Sequence, residues 1–311
     1  MNSPLTFQPI FMERMWGGRR LESEFRKAVP AGKRIGESWE IVDRPEAQSV
    51  VTSGALKGKT LHELWMQDRQ SIFGDMADAA RFPLLIKLLD AEEKLSIQVH
   101  PPEKVASKLG SEAKTEFWYV AAAEPGAELF VGFRDAITRD QFEAAIKTGT
   151  VAQLVQSLRV NAGDAMFLPA GRLHAIGGGV LLVEIQQNSD TTYRVFDWNR
   201  VDETGKAREL HVDQALQCID FDDVAPRLVA PAGEQLILDD SFAVQKWHLR
   251  SSREVASRGQ FAIVGCLTGS LGCADVNLAP GELCLVPASL QDRQLHARAA
   301  GTTLLRVTIP R

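Results

Sequence analysis

Three short segments of the chain hold side chains whose types and spacing suit metal chemistry. The first is Leu95-Ser96-Ile97-Gln98-Val99-His100-Pro101. In a strand, residues two apart point to the same face, so Gln98 and His100 share one side, and Pro101 ends the strand with His100 at its tip. The second, Lys114-Thr115-Glu116-Phe117-Trp118-Tyr119, brings a carboxylate into an aromatic-rich strand. The third, Pro169-Ala170-Gly171-Arg172-Leu173-His174, is a turn that delivers a histidine and then runs into Gly177-Gly178-Gly179. Two imidazoles, a carboxylate and an amide oxygen can fill most positions around a divalent cation and leave one open for water or substrate. Zinc suits such a set best, although manganese, iron or cobalt would also be accepted. Each residue taken singly has a plainer reading. A histidine in an apolar strand is usually a hydrogen-bonded core residue, and a glutamate is usually a solvated charge or an ion-pair partner.

The elements that must position these groups are mostly strands. Apolar stretches are short, β-branched or alternating, and broken by Gly, Pro or Asp, as around Trp39–Val42, Leu84–Leu89, Phe117–Val120, Met166–Leu168 and Val180–Ile185. Many strands with few long helices favour a barrel or sandwich. Short helices are predicted over Leu61–Asp68, Pro101–Leu109, Val151–Leu158 and Arg208–Ile219. Another should follow Thr138, which can N-cap with Gln141 at the capping-box position.

The irregular stretch Asp220–Glu234 reads as a boundary between a first unit over residues 1–225 and a second over 235–311. A weak repeat links the two. Gly163 to His174 reads GDAMFLPAGRLH, and Gly281 to Gln291 reads GELCLVPASLQ, each with Gly, five residues, then Pro. The second copy offers no histidine at the place of His174, so the second unit is expected to be a degenerate version without metal ligands.

The charge balance sets limits on partners. Thirty-five basic residues against 40 acidic ones give a net charge of -5, so bulk electrostatics do not draw this chain to nucleic acid or to a membrane. A small anionic partner would need a local basic pocket. Met1 to Gly18 has no continuous apolar stretch of the signal-peptide kind, and no apolar run approaches the roughly 20 residues of a spanning helix. The four cysteines, Cys218, Cys266, Cys273 and Cys284, form no C-x-x-C pair and read as free thiols in a reducing cytoplasm. A monomer or small homo-oligomer is expected.

The spacing Gly163-x5-Pro169-x-Gly171-x2-His174 is that of the second cupin motif, in which a turn delivers a histidine into a jelly-roll barrel. The first cupin motif is present in modified form, with Gln98 in place of its first histidine and Glu116 further along the chain. The fold expected is therefore mainly β: two cupin-like jelly-roll units with a few short helices. A closer resemblance is carried by FPLLIKLLDAEEKLSIQVHPP (Phe82 to Pro102), KTEFWYV (Lys114 to Val120) and AGDAMFLPAGRLHAIGGGVLLVEIQQNSDTTYRVFDWNR (Ala162 to Arg200). With WGG at Trp16, IGESWE at Ile35 and REL at Arg208, these strings resemble the short bacterial branch of the type I mannose-6-phosphate isomerases. The resemblance implies that Gln98, His100, Glu116 and His174 are zinc ligands and that Arg194 is the catalytic arginine. Where family members often carry a histidine before Lys114, this chain has Ala113.

An aldose–ketose isomerase moves a proton between C1 and C2 through an enediol, and its difficulty is the negative charge that develops on oxygen. A divalent metal and the permanently charged Arg194 would both offset that charge. Water on the metal, Glu184 or a neighbouring acid could serve as base. Ser96 and Lys114, with Arg200 behind them, are candidate phosphate donors for a small sugar-phosphate substrate. Trp16, Trp118 and Tyr119 could pack on the sugar ring. Two rivals share the fold: an Fe(II) oxygenase, whose facial triad also uses two histidines and a carboxylate, and a non-catalytic sugar-binding cupin.

Overall fold

The computed structural model describes residues 3–201 and 204–310. Its construction follows from a period of two in the buried strands. Along Glu116–Ala123, Phe117 and Tyr119 enter one apolar core, whereas Trp118 and Val120 enter another. A strand buried on both faces must lie inside a layered structure. It belongs to a six-stranded antiparallel sheet in the order Ile10–Gly18, Ile35–Ile41, Leu84–Ala91, Val180–Gln187, Glu116–Ala123, Ala165–Leu168.

A five-stranded sheet faces it, in the order Tyr193–Phe196, Ile97–Val99, His174–Ile176, Glu128–Phe133, Val155–Arg159. The core between them takes Leu89, Trp118, Val120 and Leu182 from the first sheet and Leu129, Val131 and Ile176 from the second. On its outer side, the five-stranded sheet is covered by the helices Arg139–Thr148 and Val212–Cys218, packed against Ile97, Val99, Leu173, Ala175, Tyr193 and Val195. Thr138 caps the first of these helices as its sequence requires, with Gln141 completing the capping box.

Residues 235–308 repeat the arrangement on a smaller scale. A five-stranded sheet (Gln235–Leu238, Ala243–His248, Thr303–Thr308, Ala262–Thr268, Leu283–Val286) faces a four-stranded one (Arg253–Glu254, Gln294–Ala297, Leu271–Cys273, Val276–Leu278). The repeat seen in the sequence has a structural counterpart. Gly163 and Gly281 both take positive φ, at 100° and 82°, and each precedes a strand on the edge of its larger sheet. The larger sheets share a core in which Ile86, Phe117 and Ile185 join Val244, Ile263 and Val307. An aromatic group within it, Trp65, Phe73, Phe82 and Phe261, has edge-on contacts such as Trp65–Phe73 at 5.0 Å and Phe73–Phe261 at 5.6 Å. Each such pair adds about 1 kcal/mol beyond area burial.

The architecture is mainly β with short helices, as the sequence indicates, each jelly-roll-like unit being a pair of facing sheets. Two local expectations fail. Val151–Leu158 is not a helix but a single 3-10 turn, Val151–Gln153, followed by the edge strand Val155–Arg159, which pairs with Glu128–Phe133. Strand pairing here outweighs a weak helical pattern. The helix predicted over Arg208–Ile219 begins only at Val212, because Arg208 bonds Asp197 and the Glu209 carbonyl accepts from Arg194. Among the described residues no helix is long and apolar enough to cross a membrane.

Candidate metal centre

Strand parity builds the site. Ile97 and Val99 face the helices, which turns Gln98 into the space between the sheets, with Ser96 and His100 before and after the strand on the same side. Leu173 and Ala175 likewise face the helices and turn His174 inward, directly opposite Gln98 in the register. Glu116 comes from the facing sheet, at the start of its strand and opposite Gln186. The turn before His174 is tied to the other ligand segment, since Gly171 N donates to His100 O at 2.9 Å.

His100, Glu116 and His174 converge, with one ligand atom of each lying within 4.8 Å of the others. His100 Nε2 is 3.1 Å from Glu116 Oε1, His174 Nε2 is 3.8 Å from Glu116 Oε2, and the two rings are 4.7 Å apart. Gln98 adjoins them through Nε2, 3.4 Å from His174 Nε2, while its Oε1 accepts from Ser96 Oγ at 3.2 Å. Rotating the amide would exchange these two atoms. Both imidazoles donate from Nδ1 to backbone carbonyls, His100 to Thr191 O at 2.8 Å and His174 to Arg172 O at 2.9 Å. Their Nε2 lone pairs are thereby directed inward.

Three buried atoms in this group, His100 Nε2 and both Glu116 oxygens, have no hydrogen-bond partner. Lys114 Nζ lies 2.6 Å from Glu116 Oε1, an ion-pair contact without hydrogen-bond geometry. Burial, then the Lys114 charge, lowers the pKa of His100, and burial, then His100, lowers that of His174 to about 3. Both rings are therefore neutral at neutral pH, the form that ligates metals. Burial works to raise the Glu116 carboxyl, but the Lys114 charge holds it well below its ordinary value. Neutral imidazoles, an ionised carboxylate and unpartnered inward lone pairs are the donor chemistry of a divalent cation site.

Gln98 and Lys114 border a cleft of about 400 Å³ that also takes in Trp16, Trp118, Ser96 and Arg194. Arg194 Nε donates to Ser96 Oγ at 3.2 Å and its Nη1 to Glu209 O at 2.9 Å. Glu184 lies in the cleft wall, where Oε1 accepts from Trp118 Nε1 at 3.0 Å. Burial, reinforced by the Glu116 charge, raises its carboxyl pKa. Tyr119 points the other way, into the core between the units, and does not line the cleft. Arg200 lines a separate cleft beside Lys94 and Trp198.

Several charged groups of this wall are not evident from the motifs of the sequence. Lys87 Nζ stands 3.8, 3.5 and 3.7 Å from Glu37, Glu184 and Asp190, and Arg14 Nε donates to Glu37 Oε1 at 2.9 Å. The signal was present: Lys87 interrupts the apolar run Leu84–Leu89, and a charge inside a doubly buried strand needs partners.

Residues 5–135 match the family model for the type I phosphomannose isomerase catalytic domain. A mannose-6-phosphate isomerase of Bacillus subtilis is 38% identical over 275 residues, covering 86% of each chain. One of Streptococcus mutans is 35% identical over 305 residues, covering 94% of this chain and 95% of the other. The crystal structure of the mannose 6-phosphate isomerase from Bacillus subtilis superposes with a TM-score of 0.88 at 33% identity, over 99% of this chain and all (100%) of that one. With relatives this similar across nearly the whole length, the chain belongs to the type I mannose-6-phosphate isomerase family.

Proposed function

We propose that this chain interconverts mannose 6-phosphate and fructose 6-phosphate through an enediol, using a zinc ion held by His100, Glu116, His174 and the Gln98 carbonyl oxygen. The observation that carries the reading is the convergence of His100, Glu116 and His174 beside a cleft that also holds Arg194 and Glu184. When bound, the divalent ion would polarise the substrate carbonyl and offset negative charge on its oxygen. Lys114, held against Glu116, keeps that carboxylate ionised. Arg194 is anchored at Nε and Nη1 and presents a permanent positive charge toward the substrate oxygens as the enediol forms. Glu184 is the group we assign to carry the proton between C1 and C2, since it is a carboxyl in the cleft wall whose pKa is raised by burial and the Glu116 charge. Trp16 and Trp118 supply apolar walls for the sugar, and Ser96 faces its phosphate end.

The relatives give the oxygenase and sugar-binding alternatives no support. We assign this chemistry to residues 1–225 and read 235–311 as a degenerate companion unit that packs against the first through a shared core. The four cysteines are unpaired and buried, which fits a reducing cytoplasm. The test is conversion of mannose 6-phosphate to fructose 6-phosphate by protein as purified, after chelation and after zinc is restored, with Arg194→Ala alongside. Activity should vanish on chelation, return with metal and be largely lost in the variant. A folded, metal-loaded protein that turns over no mannose 6-phosphate would overturn the proposal.

A further inference from the structure

The cations around the cleft differ in how fully their charge is met. Lys114 is committed to Glu116 at 2.6 Å, beside the ligand cluster. Arg14 is held by both oxygens of Glu37, at 2.9 and 3.4 Å, and Lys87 lies among three carboxylates. The wall formed by Tyr193–Phe196 and the chain after it is different. Arg194 pairs with no carboxylate among the described residues. Arg208 Nε donates to Asp197 Oδ2 at 2.7 Å, but the same carboxylate also takes Arg200 Nη2 at 2.5 Å. Asp197 is thus shared by two guanidiniums, of which Arg200 also has Glu93 at 4.0 Å, and Arg194 lies close enough that Arg208 acts on it electrostatically. Among the described residues this cleft wall has positive charge to spare, and a phosphate carries up to two negative charges.

Its position also suits a phosphate. In the register Arg194 faces Gln98 and Phe196 faces Ile97, so Asp197 lies further along, beside Ser96. Strands advance about 3.3 Å per residue and Ser96 is two residues from Gln98, which places the anchor of Arg208 about 7 Å along the wall from the level of Gln98 and Arg194. An open-chain hexose phosphate reaching from the ligand cluster would present its phosphate in that region. Arg208 lines this cleft, whereas Arg200, its rival for Asp197, lines the other. A guanidinium fixed on one edge by a carboxylate keeps further N–H groups for a phosphate oxygen.

We infer that Arg208, oriented by Asp197, binds the phosphate group of the substrate and selects the phosphorylated sugar over the free sugar. The inference rests on the isomerase reading. It is tested on metal-loaded enzyme by comparing wild type with Arg208→Ala, Arg208→Lys and Arg200→Ala. The readouts are turnover of mannose 6-phosphate, turnover of unphosphorylated mannose, and direct titration with inorganic phosphate. Arg208→Ala should raise KM for mannose 6-phosphate at least 30-fold and weaken phosphate binding to a similar extent. Its loss in kcat/KM on free mannose should be at least tenfold smaller, and Arg208→Lys should recover part of the KM. Arg200→Ala should move KM less than threefold. Equal losses on the two sugars, or a larger KM effect from Arg200→Ala, would overturn the assignment. A wild type that binds phosphate through Arg208 yet turns over no sugar phosphate would sink the isomerase reading alone.

Discussion

His100 Nδ1 donates to the Thr191 carbonyl at 2.8 Å, and this contact turns His100 Nε2 toward Glu116, 3.1 Å away. A backbone carbonyl cannot donate, so the tautomer is fixed, and His174 is fixed in the same way by Arg172 O. Both Nε2 atoms are therefore aimed at the proposed metal position by the fold itself. His174→Ala should weaken metal binding at least 100-fold while leaving the far-ultraviolet circular dichroism spectrum unchanged. Metal stoichiometry after dialysis against a weak chelator checks this, and full retention of metal by the variant would count against the ligand assignment.

Glu116 would balance two demands, the proposed metal and the buried ammonium of Lys114. Replacing it by Gln leaves Lys114 buried beside a neutral amide, and a buried charge stripped of its partner costs about 3 kcal/mol or more. Chelated Glu116→Gln should therefore unfold at lower denaturant than chelated wild type. Adding Lys114→Met should return part of the lost stability without restoring metal binding. If the double variant is no more stable than the single one, the ion pair is not the source of the effect.

The convergence of His100, Glu116 and His174 was legible partly through the family resemblance and partly through short-range rules. Gln98 and His100 are two apart on one strand, and His174 follows a turn whose Gly and Pro spacing can be read directly. The charged wall was less legible because it is made by register. Lys87 meets Glu184 only because Leu84–Ala91 and Val180–Gln187 pair Lys87 with Glu184, and no local pattern sets that alignment. Arg208 was missed as a site residue for a related reason. It read as the start of an amphipathic helix, and its partner Asp197 lies on the far side of a turn. The helix expected at Val151–Leu158 failed for want of knowledge that Glu128–Phe133 had an edge free to pair with it.

Gly171 ties the turn before His174 to the segment that carries His100. Its φ is +98°, and an added Cβ would sit 3.1 Å from the Cys218 carbonyl oxygen. Gly171→Ala should cost about 1–2 kcal/mol from the backbone alone. Because the strain falls between two ligand-bearing segments, metal affinity should drop as well, by roughly tenfold, as expected for a change just outside the ligands. Thermal unfolding and metal titration on the same variant separate the two effects. Unchanged affinity in a destabilised variant would mean that the turn and His174 move independently.

Glu37 gives a pH dependence whose sign can be worked out. Burial works to raise its carboxyl, but Lys87 and Arg14, helped by the Trp39 indole N–H at 2.6 Å, bring it down to about 2 from an ordinary 4.5. A group whose pKa is lower in the folded than in the unfolded chain binds fewer protons when folded. Its stabilising contribution is complete above about pH 4.5 and is lost as pH falls toward 2. A shift of that size corresponds to about 3 kcal/mol. Glu40 acts in the opposite sense, since burial outweighs Lys27 and raises its pKa, so the total acid limb is not a clean readout. The comparison must be between wild type and Glu37→Gln, both chelated, with urea unfolding followed from pH 7 to pH 3. The gap in stability between the two should be largest at neutral pH and should narrow steadily below pH 4.5, because a protonated Glu37 carboxyl and the amide that replaces it in the variant are both uncharged. Parallel curves over this range would mean that the Glu37 carboxylate is not held by Lys87 and Arg14.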